Sequence, residues 1–465
     1  MNYRNNLVML KMALIILVTV NFSCEKFVDV KKNSSQSLIE TPNDCQLLLN
    51  DYANMNVGYP SDGEVSCDDY YLSDDGYLSS SIVDEDRQIY TWQQAAIRSA
   101  ASPQWQFPYK VVYLSNLVIE AVDNLQGTGD QHILDDLRGQ ALFFRAYSFW
   151  QLAQLYAPPY TNATQSPGIP LRLNSDINGK SNRGTLNETY AQIINDLKEA
   201  TNLLSTNFLV ASRPNKTAAF ALLARVYLST NNYASSLENA TSALQINNNL
   251  IDFNTLDPNS ETPFSRFNKE VVFHSLMSPS MVLTPGSASD NIAKIDLTLV
   301  SSYLTNDLRR QIYFKANSSI HIGTYRFTGN YEPVTSSLLF NGIAVDELYL
   351  IRSECYARIG NISSAMEDLN RLLLSRWKTG TYVPITASST NDALNKILIE
   401  RRKELVMRGQ RWTDLRRLNN EELYAKTLSR TVNGVTYNLP PNDPRYTLLI
   451  PDEVIRNSQI AQNVR

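Results

Sequence analysis

Ala221-Leu-Leu-Ala-Arg-Val-Tyr-Leu-Ser-Thr-Asn-Asn-Tyr-Ala-Ser-Ser-Leu-Glu-Asn-Ala-Thr-Ser-Ala243 and Leu350-Ile-Arg-Ser-Glu-Cys-Tyr-Ala-Arg-Ile-Gly-Asn-Ile-Ser-Ser-Ala-Met-Glu-Asp-Leu-Asn-Arg-Leu372 carry one pattern twice. Ala224, Tyr227, Asn231, Tyr233, Ser236, Ala240 and Ala243 recur as Ser353, Tyr356, Gly360, Ile362, Ala365, Leu369 and Leu372, each 129 positions later. Small residues let two antiparallel helices approach, and the aromatic fills the gap beside the turn. Each copy is therefore a helical hairpin. A third unit pairs 131–156 with 187–205, interrupted by a Pro/Gly/Asn-rich insertion at 157–186.

Working outward, apolar periodicity predicts helices over 104–125, 131–156, 187–205, 215–230, 233–247, 345–359, 363–377 and 391–408. Thr41-Pro42-Asn43-Asp44 starts a further helix, with Thr41 as N-cap and Pro42 in the first turn. Glycine is scarce, 17 of 465 residues against about 7% in ordinary proteins, which disfavours a many-turned sandwich or barrel. The hairpins have the tetratricopeptide (TPR) pattern, but a long solenoid would need more copies. The 250–340 stretch, with β-like fragments such as Glu270-Val-Val-Phe-His274, is too large for a linker. The expected architecture is a mostly all-α single domain over 24–465. TPR-like hairpins form its rigid back, and loop-rich insertions form its working face.

The first 23 residues read as an address. Arg4 and Lys11 precede the apolar run Met12–Val20, which reaches roughly 14 Å, about half of a hydrocarbon core. This is a signal-peptide h-region. Asn21-Phe22-Ser23-Cys24 resembles a bacterial lipobox, with Cys24 as the lipidated first residue of the mature chain and the membrane anchor.

Chemistry is sparse. His132, His274 and His321 are the three histidines, and no HExxH, GxSxG, phosphate loop or dinucleotide fingerprint occurs. No enzyme activity, cofactor or metal is expected. The net charge of −4, without a basic stripe, argues against a nucleic-acid partner. Cys45, Cys67 and Cys355 lack metal-ligand spacing; Cys355 reads as a buried apolar residue, and a Cys45–Cys67 disulfide is an open alternative. Trp105, Tyr109 and Asn116, like Arg145, Tyr147 and Trp150, fall at helical spacing and read as core. The run Glu400-Arg-Arg-Lys-Glu404 alternates sign on a helix ending at Gly409 and reads as ion pairs on a solvated face. Cys67-Asp-Asp-Tyr-Tyr-Leu-Ser-Asp-Asp-Gly-Tyr77 is the exception. Tyrosine faces stack on sugar rings while carboxylates grip hydroxyls. Calcium on Asp68, Asp69, Asp74 and Asp75 is a weaker reading, since EF-hand spacing is absent.

Glu400-Arg-Arg-Lys-Glu-Leu-Val-Met-Arg-Gly-Gln-Arg-Trp-Thr-Asp-Leu-Arg-Arg417 is similar to the C-terminal signature of the SusD/RagB family. Cys24-Glu-Lys-Phe-Val-Asp-Val, Trp105…Tyr109…Asn116, Arg145-Ala-Tyr147, Ala221–Leu228, Glu347–Glu354 and Ile450-Pro451…Asn457 match in the same order. The resemblance implies a non-catalytic, surface-facing outer-membrane lipoprotein. It would act as the lid of a SusC-like TonB-dependent transporter, capturing glycans for nutrient uptake. Capture of peptide or another nutrient by the same lid, or a TPR-type protein-interaction scaffold, are the alternatives. Family sites draw on the loop after the first helix and on the large insertion. By position these are 58–92 and 270–331, so the expected ligand-binding residues are Tyr70, Tyr71, Tyr77, Trp92, Tyr313 and Tyr325.

Overall fold

Eight long helices among the described residues follow the predicted periodicity: α1 Pro103–Asn124, α2 Gln131–Tyr156, α3 Leu186–Leu203, α4 Lys216–Ser229, α5 Tyr233–Ile246, α6 Val345–Arg358, α7 Ile362–Leu374 and α8 Thr390–Glu404. The computed structural model describes residues 39–127, 129–160 and 165–465; the 1–23 leader and Cys24 lie outside the described residues. Thr41–Arg465 clusters as one compact unit. Thr41 caps helix Pro42–Leu49 through a box in which the Asp44 N–H donates to Thr41 Oγ at 3.2 Å and the Thr41 N–H donates to Asp44 Oδ2 at 2.9 Å.

The helices stack in chain order: α1 on α2, α2 on α3, α3 on α4, α4 on α5, α5 on α6, and α6 on both α7 and α8. The three proposed hairpins are therefore present and mutually packed. The two clear copies match down to their turns. Asn231 and Gly360 hold equivalent left-handed positions, at φ 58° and 86°. Asn232 and Asn361 then cap α5 and α7 by accepting from Ser235 and Ser364 N–H. Between the paired helices Ser236 donates to the Ala224 carbonyl at 2.8 Å, and Ser353 donates to the Ala365 carbonyl at 2.7 Å. These are equivalent positions with serine and alanine exchanged. In the third hairpin a Cβ on Gly139 would lie 2.8 Å from Leu204 Cγ, so only glycine permits that approach. α2 is buried on every face from Gly139 to Tyr156, which makes it the central helix.

The irregular 250–340 region is sewn to the body by short strand pairs. Val57–Tyr59 runs parallel to Leu276–Met277, Ile343–Ala344 antiparallel to Val271–Phe273, and Tyr70–Tyr71 antiparallel to Lys294–Ile295. Its aromatic centre, Phe253, Phe264, Tyr313 and Tyr331, packs at ring separations of 4.6–6.2 Å.

One expectation changes and one open alternative closes. α8 ends at Glu404, and the Glu400–Glu404 run is not a solvated face: Arg401, Lys403 and Glu404 are buried. A chain of buried ion pairs replaces it, Glu404 to Arg376 and Arg309, Arg376 to Glu270, and Arg401 to Asp414. Buried charges persist only when paired like this. Cys45 and Cys67 are both free and buried, so no disulfide joins them; Cys355 is buried as expected.

Candidate functional site

The two regions singled out by position meet where Tyr59 runs beside Met277 and again at the tyrosine loop. Tyr71 pairs with Lys294 and Tyr70 with Ile295, and the Asp296 N–H donates to the Asp69 carbonyl at 3.0 Å. Beside this strand pair lies a hollow of about 440 Å³, closed on its far side by Lys426–Thr431. Its second wall continues into a hairpin, Leu428–Val432 paired with Val435–Leu439, whose turn Asn433-Gly434 has positive φ at both residues.

The floor is rigid. The Arg430 guanidinium sits 3.8 Å from the Tyr90 ring centroid, 4.5 Å from Trp92 and 5.6 Å from Tyr70. It donates to the carbonyls of Val65, Cys67 and Tyr90. Tyr70 and Trp92 are 2% exposed, and their polar atoms are committed to the Val65 and Ser66 carbonyls. They are walls of an arginine cage and have no free ring face to stack on. Tyr313 is likewise core, packed on Phe253 and Phe264. Tyr71, Tyr77 and Tyr325 remain half-exposed. Tyr71 lines the hollow, and Tyr325 lies on the strand beside Lys294–Ile295. Burial and then the neighbouring Tyr437 phenol raise the Tyr77 hydroxyl above its ordinary range. Lys426 was not visible as a site residue, because nothing local in the sequence ties 426–431 to 68–77; Asp296 lies inside the expected 270–331 region but carried no signal of its own.

Helix Arg411–Leu418, α9, and α8 hold the loop in place. Asp68 accepts from Arg411 at 2.6 Å and Lys426 at 2.7 Å, with Arg402 at 3.4 Å; Arg402 also reaches Asp69. Burial alone would raise the Asp68 carboxyl, but these cations outweigh it and hold it well below the usual carboxylate range. Asp74 instead accepts from the Asn433 N–H at 2.6 Å. Asp68, Asp69 and Asp74 thus serve cations and backbone already present, while Asp75 is exposed. Among the described residues, Glu64, Cys67 and Asp69 are the group of acids and thiols close enough to share an ion, within 4.8 Å of one another. Here burial, then the nearby Asp69, pushes Glu64 up to about 8, and the Cys67 thiol donates to Glu64 at 3.2 Å.

A second concavity, about 740 Å³, lies between α1 and the 172–181 loop of the insertion, with Trp105, Tyr109 and Tyr113 on its helical wall. Trp105 and Asn116 are buried as expected, while Tyr109 is half-buried with its hydroxyl on the Pro170 carbonyl. Arg145, Tyr147 and Trp150 are core.

A family model described as starch-binding associating with outer membrane, SusD-like, matches residues 26–228, and the SusD family model matches 345–463. SusD-like protein P2 of Formosa agariphila is 25% identical over 417 residues, 77% of this chain and 79% of that protein. A SusD superfamily structure from Bacteroides thetaiotaomicron superposes with a TM-score of 0.75 at 23% identity, covering 91% of this chain and all of that one. A laminarin-binding SusD-like protein superposes with a TM-score of 0.65 at 16% identity, over 91% of this chain and 98% of that one. With matches to both ends of one family in the right order, and the signature's charges engaged in the interior, the chain belongs to the SusD/RagB family.

Proposed function

We propose that this chain is a non-catalytic glycan-capturing lipoprotein, anchored to the outer membrane through Cys24 and acting as the lid of a SusC-like TonB-dependent transporter. One observation carries the glycan reading. Half-exposed Tyr71 lines a preorganised hollow, with half-exposed Tyr77 six residues further along the same loop, and the lining supplies Asp296, Ser429, Thr431 and Lys426 as hydrogen-bonding groups. Flat apolar faces beside convergent polar groups suit a pyranose, with its C–H face and paired hydroxyls. The fold similarity to a laminarin-binding protein and the starch-binding family description support the same ligand class. The membrane attachment rests on the lipobox; among the described residues no helix is long and apolar enough to cross a membrane.

The test is a glycan array followed by calorimetric titration of the glycan it selects. Stacking contributes about 0.5–1.5 kcal/mol per ring beyond area burial, so Tyr71→Ala and Tyr77→Ala should each weaken binding several-fold to tenfold. Tyr325→Ala should weaken it less, since Tyr325 lies outside the tyrosine loop, on the strand beyond Lys294–Ile295. A Tyr71→Ala/Tyr77→Ala protein that binds as tightly as wild type moves the site elsewhere, and an array without a single retained glycan ends the glycan reading.

A further inference from the structure

The cleft between α1 and the insertion is built as carefully as the tyrosine hollow, and the glycan reading of that hollow does not use it. Tyr109 and Tyr113 are one helical turn apart on α1, with Trp105 another turn back, so the aromatic stripe runs about 12 Å along the helix axis. Trp105 is braced from behind by Tyr156, ring centroids 4.9 Å apart, and leans on Tyr109 at 4.9 Å. The Tyr109 hydroxyl is spent on the Pro170 carbonyl, so it is the ring that this residue presents.

The facing loop is fixed from three sides. Asn116 donates to the carbonyls of Arg172 and Asn174, both at 3.0 Å, and is itself held by Arg145, whose other nitrogens grip Asp196 on α3. Glu120 accepts from both the backbone and the hydroxyl of Ser175. Arg172 turns back to the carbonyls of Asp176 and Gly179 and to Ser181 Oγ, and among the described residues it forms no ion pair with a carboxylate. Around this frame the side-chain amides of Asn178, Asn457 and Gln459 and the Lys180 ammonium line the opening, and among the described residues none of them has a hydrogen-bond partner. The sole carboxylate on the lining is the exposed Asp176. Ring faces opposite unengaged amides, at a volume within the usual range for ligand sites, are the chemistry of an uncharged polyol chain.

We propose that this cleft is a second saccharide site, in which a neutral oligosaccharide segment lies along Tyr109 and Tyr113 and is gripped by Asn178 and Asn457. The proposal rests on the glycan reading above and extends it from one contact to two. A polymer touching both sites is held more tightly than either site alone allows, because the second contact becomes intramolecular.

The test uses the full mature chain in affinity gels containing laminarin, amylopectin, xylan or galactan, followed by calorimetry with a hexasaccharide of whichever polymer retards it. Wild type should take two hexasaccharides per chain. Tyr113→Ala/Asn457→Ala should take one, and Tyr71→Ala/Tyr77→Ala should take the other. Asn178→Ala, at an exposed loop position, should weaken the cleft's binding step several-fold and keeps the test open if the Tyr113 variant fails to fold. One hexasaccharide per wild-type chain, with Tyr113→Ala/Asn457→Ala and Asn178→Ala both unchanged, overturns the second site and leaves the first standing. Retardation in none of the four gels overturns both.

Discussion

Asp68 takes charge from Arg402, Arg411 and Lys426, and through that one carboxylate the tyrosine loop is tied to α8, α9 and the segment leading into the hairpin. The sequence made the Glu400–Glu404 charges legible as ion pairs. It did not show that they are buried, nor that the partner of Arg402 lies 333 positions earlier, because alternating charge on a helix looks the same whether it faces water or other charges. The same limit separates the named tyrosines: Tyr70 and Trp92 enclose Arg430, while Tyr71, adjacent in sequence to Tyr70, keeps exposed surface. Strand alternation puts neighbours on opposite faces. Beneath the loop, Glu64 gives a pH prediction. Its folded pKa of about 8 exceeds the unfolded value near 4.3. The native state therefore binds a proton that the unfolded chain releases, and the stability it contributes below about pH 4.3 is lost as pH rises toward 8. Glu64→Gln keeps the neutral shape, so relative to wild type it should gain stability between pH 5 and pH 8.5. The gain should be on the order of 1 kcal/mol or more, since each pKa unit is worth about 1.4 kcal/mol. Urea titrations of both proteins at the two pH values measure it. A mutant-minus-wild-type difference that stays flat contradicts the assignment.

Helix periods longer than three turns were legible, and all eight long helices lie within a few residues of their predicted bounds. Among the two- and three-residue strands, Val271–Phe273 was foreshadowed by the β-like fragment Glu270–His274; the others were not, because their partners lie far away and too few side chains alternate to give a period. The hairpin Leu428–Leu439 was missed despite a local signal. Asn433-Gly434 is the type of pair that accepts positive φ at both turn positions, but the flanking strands are half-polar and sit in a Pro/Asn-rich tail. The repeat itself supports a sharper test. Because the Ser236–Ala224 bond in one hairpin has its counterpart in Ser353–Ala365 with the residues exchanged, the donor should be transferable. Ser236→Ala should cost about 0.5–1.5 kcal/mol, the usual worth of one hydrogen bond. Adding Ala224→Ser should recover most of that loss. Thermal melts of wild type, single and double variants decide it; a double variant no more stable than Ser236→Ala would show that the two hairpins are not equivalent at this position.

For the whole molecule, the family signature announced the fold, and the superposition over nine-tenths of the chain agrees with it. The family was legible from the signature. The 58–92 and 270–331 regions do converge at Tyr71 and Lys294, but which rings stay accessible depends on packing that no local pattern encodes. Attachment is a separate claim, since Cys24 lies outside the described residues. Cys24→Ser should lose metabolic fatty-acid labelling and leave the membrane fraction; unchanged labelling ends the lipoprotein assignment. The central claim is that glycan is held where the amino-terminal loop meets the insertion. Hydrogen–deuterium exchange of the full mature chain, with and without the glycan chosen by the array, tests it most directly. The account predicts slowed exchange in peptides covering 68–78, 290–296 and 426–437, while the α4–α7 hairpins exchange as before. Saturating glycan that leaves all three of those segments unprotected would contradict it.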